Sequence, residues 1–311
     1  NVNVGTSGSR CDPALEQEKA KAALANGADA LMDLSTGGDL VAIRKKILRL
    51  DTTVGTVPIY EAVRRAGNAA DVDADLLFAV IREHCKQGVD FLTLHCGVNR
   101  QVLAALRSDP RLMGVVSRGG TFHCAMMMQR DEENPLYTEY DYLLEILAEH
   151  DVTISLGDGM RPGCLQDAEK LAKSVEYMTL GTLAKRAQEA GVQRMIEGPG
   201  HMPLDQVGYN VRMIKEITDH APLYLLGPLV GGRMLCLFKF HGALVDSIDL
   251  EGVYAIEATR GREGETHATA RFVLTHRVSD RPMSPRGSQP QRRVESHRGP
   301  LVTGPQRVLC R

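Results

Sequence analysis

No tryptophan occurs in the 311 residues, and neither charge sign prevails. No stretch reaches the roughly 18 consecutive apolar residues of a membrane-spanning helix. Thirty-seven basic residues stand against 39 acidic ones, a formal net charge of −2. That balance provides no global field toward nucleic acid or an anionic membrane surface, so neither is expected as a partner, and an anionic ligand has to be held by a local pocket. The opening residues Asn1 to Gly5 carry no basic leader and no apolar signal core, and the cytoplasm is the expected compartment. Cys11, Cys85, Cys96, Cys124, Cys164, Cys236 and Cys310 never form a C-x-x-C pair, which argues against a disulfide framework or a zinc ribbon. No initiating Met precedes the strand-like start, and the chain reads as a portion of a longer protein.

What is present is a chain that is 43% hydrophobic and 24% charged, enough for one large domain or two ordinary ones. Eight short apolar, β-branched segments recur over the first 230 residues, at 2–7, 30–36, 54–60, 91–97, 114–119, 153–159, 194–200 and 223–229. Helical patterns separate most of them, at 39–50, 74–87, 135–150, 166–190 and 203–220. An earlier helix is bracketed by Asp12-Pro13 and Asn26-Gly27. No G-x-G-x-x-G follows the first segment, so the alternation predicts an α/β chain with a parallel (β/α)₈ barrel over 1–230 rather than a doubly wound sheet.

In such a barrel the carboxyl ends of the strands meet at one mouth. Asn3, Asp33, Tyr60, His95, Ser117-Arg118-Gly119, Asp158, Glu197 with His201, and Tyr224 all fall at or near those ends, although they are spread over more than 220 positions. Each residue alone has a plainer reading, as a helix cap, a core ring or a satisfied imidazole. Ser117-Arg118-Gly119-Gly120 suits either a flexible turn or an anion cradle of hydroxyl, guanidinium and bare amides. Asp158-Gly159-Met160-Arg161-Pro162-Gly163 reads either as an Asp–Arg pair closing its own loop or as a site for hydroxyls and an anion. Glu197-Gly198-Pro199-Gly200-His201 sets a carboxylate and an imidazole on one turn, suited to proton transfer or to metal ligation. His84, His150 and His220 read as packing or surface residues, and His123, Cys124 and Met126-Met127-Met128 as core.

Taken in series, Asn1-Val2-Asn3-Val4-Gly5, Met32-Asp33-Leu34-Ser35-Thr36-Gly37, Gly55-Thr56-Val57-Pro58-Ile59-Tyr60, Ser117-Arg118-Gly119-Gly120, Ser155 to Gly163 and Glu197 to His201 resemble the phosphomethylpyrimidine synthase family of thiamine biosynthesis. The resemblance covers residues 1–229. It implies a homodimeric radical S-adenosylmethionine lyase that carries a [4Fe–4S] cluster and zinc and converts aminoimidazole ribotide to hydroxymethylpyrimidine phosphate. It further implies that Asn3, Met32, Tyr60, His95, Ser117, Arg118, Gly119, Asp158, Gly159, Met160, Arg161, Glu197 and Tyr224 bind the ribotide. Glu197 is then the catalytic candidate and His201 the first zinc ligand. A sister family, 5-hydroxybenzimidazole synthase, starts from the same ribotide, and a ribotide-binding pseudoenzyme without turnover is a further alternative.

The resemblance stops after Val230. No second zinc histidine follows in the family's pattern, His241 being a poor candidate, and the cluster motif C-x-x-C-x-x-x-x-C has no counterpart. Residues 261–311 hold ten arginines, and no lysine follows Lys239. The segment 231–311 is therefore expected to be an unstructured tail, or the product of a shifted reading frame, without the cluster arm. Three protein thiolates must hold three irons while the fourth takes S-adenosylmethionine. With its cysteines scattered, this chain is expected to hold no [4Fe–4S] cluster after anaerobic reconstitution and to release no 5′-deoxyadenosine from S-adenosylmethionine and dithionite. A Mössbauer signal for about four cluster irons per chain, with 5′-deoxyadenosine on mass spectrometry, would overturn that expectation.

Overall fold

The computed structural model describes residues 1–226, 255–260 and 266–271. The chain divides into two compact units, Asn1–Leu250 and Glu251–Arg311. In the second, the strands Ala255–Arg260 and Thr266–Arg271 pair antiparallel. The rest of the expected tail, with Cys236, His241 and Cys310, lies outside the described residues.

In the first unit seven strands pair in chain order: β1 (Val2–Val4), β2 (Ala30–Asp33), β3 (Thr53–Thr56), β4 (Phe91–Leu94), β5 (Thr153–Leu156), β6 (Arg194–Glu197) and β7 (Leu223–Tyr224). Every pair is parallel, with Asp33 beside Thr56, Leu94 beside Leu156 and Glu197 beside Tyr224. The sheet curls: the Asn1 Nδ2 donates to the Tyr224 hydroxyl at 2.5 Å, and that hydroxyl reaches the Met32 sulfur at 4.0 Å. The residue before β1 and one on β2 thus meet β7 through side chains. The expected α/β barrel architecture is present, with seven strands described where eight were counted.

The helices are α1 (Pro13–Ala25), α2 (Leu40–Ile47), α3 (Pro58–Ala66), α4 (Ala74–Lys86), α5 (Arg100–Ser108), α6 (Arg118–Arg130), α7 (Pro135–Thr138), α8 (Tyr140–Glu149), α9 (Leu171–Glu189) and α10 (Val207–Ile217). Local chemistry starts many of them. Asp12, Asp39, Asp73, Asn99, Ser117 and Asn134 each accept a hydrogen bond from an amide in the first turn that has no intrahelical acceptor. Pro13, Pro58 and Pro135 occupy first-turn positions where a missing N–H costs nothing.

Two of these starts correct the sequence expectations. Segment 114–119 forms no strand, and β4 pairs directly with β5. Its glycines weaken strand formation, and Ser117 instead accepts the Gly120 amide at 3.2 Å to open α6. Pro58 likewise ends the third strand early, so Tyr60 sits in the first turn of α3 rather than at a strand end.

Between sheet and helices lies one main core, with Leu92, Leu94, Ile154, Leu156 and Ile196 of the strands against Leu77, Ile81, Leu143, Leu147, Leu180 and Leu183 of the helices. All four residues of β4 are buried, as expected of a parallel strand covered on both faces. A buried ionic cluster fixes α3 against its neighbours. Glu61 accepts from Arg44 of α2 at 2.8 Å and from His84 of α4 at 2.9 Å, while the Thr56 hydroxyl of β3 meets the other His84 nitrogen at 2.8 Å. Burial pushes the Glu61 carboxyl up, but the bonds from His84, Arg44 and Arg65 outweigh it and hold it well below the usual carboxylate range. The helix that carries Tyr60 is anchored one residue further on. No helix among the described residues is long and apolar enough to cross a membrane.

Candidate functional site

At the carboxyl ends of β5 and β6 two carboxylates lie near one guanidinium. The Asp158 amide donates to Glu197 Oε2 at 2.9 Å, Arg161 Nη1 donates to the Asp158 carbonyl at 2.8 Å, and the same nitrogen lies 4.0 Å from Glu197 Oε1. Asp158 is fully buried, and neither of its carboxylate oxygens has a hydrogen-bond partner; the Arg161 Nε is also without one. Buried polar groups are nearly always paired, and these atoms keep hydrogen-bonding capacity that the protein does not use.

Arg161 links the surrounding groups electrostatically. Burial pushes Tyr60 and Tyr224 up, the latter to about 12, and both feel the Glu197 and Arg161 charges. Burial also lowers His95 and His201, and the Arg161 charge lowers both further. Burial raises the Glu197 carboxyl, against the pull of Arg161 and the Asp158 amide. Arg118 lies over the Tyr60 ring, its guanidinium carbon 5.1 Å from the ring centre, and Tyr60 stands edge-on to Phe122.

Two glycines let α6 approach this centre. A Cβ on Gly119 would fall 2.1 Å from the His95 ring, and one on Gly120 would fall 2.5 Å from the Gly159 carbonyl oxygen. Only bare backbone brings the helix start, with the Ser117 hydroxyl, against both strand ends at once. Ser117 Oγ lies 3.4 Å from His95 Nε2. His95 is held in turn by Asn134, whose amide nitrogen donates to the His95 and Val98 carbonyls at 2.9 and 2.8 Å.

Tyr60, His95, Ser117, Arg118, Gly119, Asp158, Arg161, Glu197 and Tyr224 are therefore connected through contacts or charge, and Asn3 and Met32 join through Asn1 and Tyr224. Gly159 and Met160 stand differently. Their amides donate to the Glu176 carboxylate on α9 at 2.9 and 2.8 Å, and the Met160 side chain packs with Val98, Val102 and Met127. Glu176, Arg111 and the contacts of Asn134 to the His95 and Val98 carbonyls escape a reading of the sequence, whereas His123 is buried as expected. Glu176 sits in a helix whose polar and apolar residues do not separate into faces, and Asn134 reads as an ordinary cap. His123 stacks obliquely near His95, the ring centres 6.0 Å apart, and burial pushes it down to about 4.

For metals and clusters the residues do not suffice. His201 Nδ1 meets the Pro162 carbonyl at 3.2 Å, so that nitrogen carries the proton and Nε2 keeps its lone pair, as a zinc ligand requires. Among the described residues, however, no three His, Cys, Asp or Glu side chains group to hold a metal. Cys85, Cys96 and Cys124 are buried, and burial pushes their thiols up, away from the thiolate a cluster needs. The described residues fit neither a [4Fe–4S] cluster nor a complete zinc site.

Residues 1–235 match the Radical SAM ThiC family. Proteins named phosphomethylpyrimidine synthase are similar over the same region. One from Methanococcus maripaludis is 54% identical over 235 residues, 74% of this chain and 55% of its own length. One from Archaeoglobus fulgidus is 54% identical over 231 residues, 74% of this chain and 54% of its own. One from Methanocaldococcus jannaschii is 53% identical over 235 residues, with 74% and 55% covered. The chain spans about half the length of the curated relatives it matches.

The isolated Asp158 carboxyl sets a pH dependence. Burial pushes it up to about 7, the Arg161 charge pulls it down, and the Glu197 charge pushes it up again; the Gly200 amide also favours the anion without reaching hydrogen-bond geometry. Unfolded Asp ionises near pH 3.9. Between there and about pH 7 the folded chain keeps a proton that the unfolded chain has released, so this group's contribution to stability is full at low pH and falls as pH rises through about 7. Asp158→Asn removes that loss. Its stability relative to the wild type is expected to improve by on the order of 2–4 kcal/mol between pH 4 and pH 8 in urea unfolding. Parallel pH profiles for the two proteins would show that Asp158 carries no such proton.

Proposed function

Because the chain belongs to the Radical SAM ThiC family, we propose that residues 1–226 form the ribotide-binding barrel of a phosphomethylpyrimidine synthase. In its complete form the enzyme converts aminoimidazole ribotide to hydroxymethylpyrimidine phosphate in thiamine biosynthesis. The homodimer and cytoplasmic location implied by the resemblance belong to the same proposal. The observation that carries it is the fully buried Asp158 carboxylate, without a hydrogen-bond partner, beside Arg161, Glu197 and the α6 start. A ribotide brings hydroxyl donors, a dianionic phosphate and a basic heterocycle, which are the complements of these groups.

On this reading the Ser117 hydroxyl, the Gly119 amide and Arg161 take the phosphate, a charge-assisted set at a helix N-terminus. Asp158 accepts from the ribose hydroxyls, which supply the hydrogen bonds its oxygens lack. Glu197, raised by burial yet held by the Asp158 amide and Arg161, is poised to exchange a proton with the aminoimidazole. Tyr60, stacked under Arg118, and Tyr224, tied to Asn1, wall the base from either side.

Arg161→Ala is expected to weaken aminoimidazole ribotide binding by about 2–3 kcal/mol in titration calorimetry, with far-UV circular dichroism unchanged. Arg161→Lys keeps the charge but loses the planar fork, and is expected to fall between the two. Equal affinity in all three proteins would remove Arg161 from the phosphate site.

A further inference from the structure

Glu176 lies in the middle of α9, fully buried, with no part in the proposed ligand contacts. Both its oxygens are used: Oε1 accepts the Gly159 amide at 2.9 Å and Oε2 the Met160 amide at 2.8 Å. The loop is gripped from its carbonyl side one residue further along. Arg111 donates through Nη2 to the Met160 carbonyl at 2.5 Å and through Nη1 to the Arg161 carbonyl at 3.3 Å. Arg111 is itself placed by the fully buried Asp167, which accepts the Leu112 and Met113 amides at 2.8 and 2.9 Å. A Cβ on Gly159 would fall 2.8 Å from Glu176 Oε1 and 2.4 Å from a Val98 methyl, so the backbone lies directly on the carboxylate.

Burying a carboxylate is costly, and a neutral side chain could pack in this place at lower cost. The neighbouring Asp158 charge makes ionisation of Glu176 harder still, while the two amides favour it. What the carboxylate provides, and a neutral residue does not, is two acceptors at a fixed spacing that turn consecutive amides toward α9. With those amides committed, the chain leaves the clamp with Asp158 on one side and Arg161 on the other, and Arg161 Nη1 closes back on the Asp158 carbonyl.

We infer that Glu176 is a positioning residue for phosphate recognition: it fixes the Gly159 and Met160 amides from beneath, and so sets the place from which Arg161 meets the anion. The inference rests on the ribotide reading above and adds to it a residue that touches no ligand. It also assigns Gly159 and Met160 a different part from direct amide contact, since their N–H groups are already engaged.

Glu176→Gln keeps the side-chain volume but replaces one acceptor with an N–H₂ group that faces a backbone donor. Glu176→Asp keeps both acceptors and the charge. Two readouts separate positioning from mere folding. In hydrogen exchange of the intact chain, the Gly159 and Met160 amides are expected to be protected in the wild type, and to exchange at least about tenfold faster in Glu176→Gln. In calorimetry, Glu176→Gln is expected to lose roughly 10- to 100-fold in affinity for aminoimidazole ribotide but little for the aminoimidazole riboside, which lacks the phosphate, with Glu176→Asp partly restored. Equal losses for ribotide and riboside, or unchanged affinity for both, would overturn the positioning role. A wild type that ignores ribotide yet shows the protected amides would defeat the ligand reading and support the clamp. Should Glu176→Gln fail to fold, the wild-type exchange decides: unprotected Gly159 and Met160 amides would overturn the inference.

Discussion

Two buried carboxylates, Asp158 and Glu197, stand beside a single guanidinium, and the mouth of the barrel is organised by that imbalance. Left alone, two such anions in a water-poor site would repel and take up protons. The Arg161 charge offsets part of this, the Asp158 amide steadies Glu197, and the oxygens of Asp158 stay without a partner. The fold exists, in functional terms, to hold this arrangement: parallel register brings β5 and β6 to the same height, and Gly119 and Gly120 let a helix start close on it. On the proposed reading, the hydroxyls of a substrate supply the hydrogen bonds that the Asp158 oxygens lack.

Much of this was legible in the sequence because it is written locally. The apolar segments around Met32, Leu92, Ile154, Ile196 and Leu223 each end in Gly or a polar residue, and each became a strand with its chemistry at the carboxyl end. Helix starts at Asp12-Pro13 and Asn134-Pro135 follow from side-chain capping alone. Where the reading failed, a local signal had two meanings. Segment 114–119 is apolar enough for a strand, yet Ser117 followed by two glycines caps a helix more readily than it pairs. Pro58 ended β3 and carried Tyr60 into a helix, although Tyr60 still reached the site because the Glu61 cluster fixes that helix.

Glu176 illustrates what spacing cannot show. A glutamate in a long helix is ordinarily a solvated residue, and its neighbours give no sign that it is buried under a loop contributed by the preceding strand. Met160 shows the converse. It falls within the stretch that the family resemblance assigns to the ligand, yet its side chain belongs to the packing around Val98 and Val102, and its amide to Glu176. The cysteines are widely spaced in sequence, and among the described residues they join no group of three metal-ligating side chains.

The claim on which the account stands is that the strand ends around Arg161 receive the ribotide. A crystal structure of the chain with aminoimidazole ribotide tests it directly. The account predicts phosphate density within about 3 Å of Ser117 Oγ, the Gly119 amide and the Arg161 guanidinium, with the ribose against Asp158. Ordered ribotide elsewhere, for example in the surface cavity lined by Met126, Met127, Arg130, Glu132 and Glu139, with an empty mouth, would contradict it.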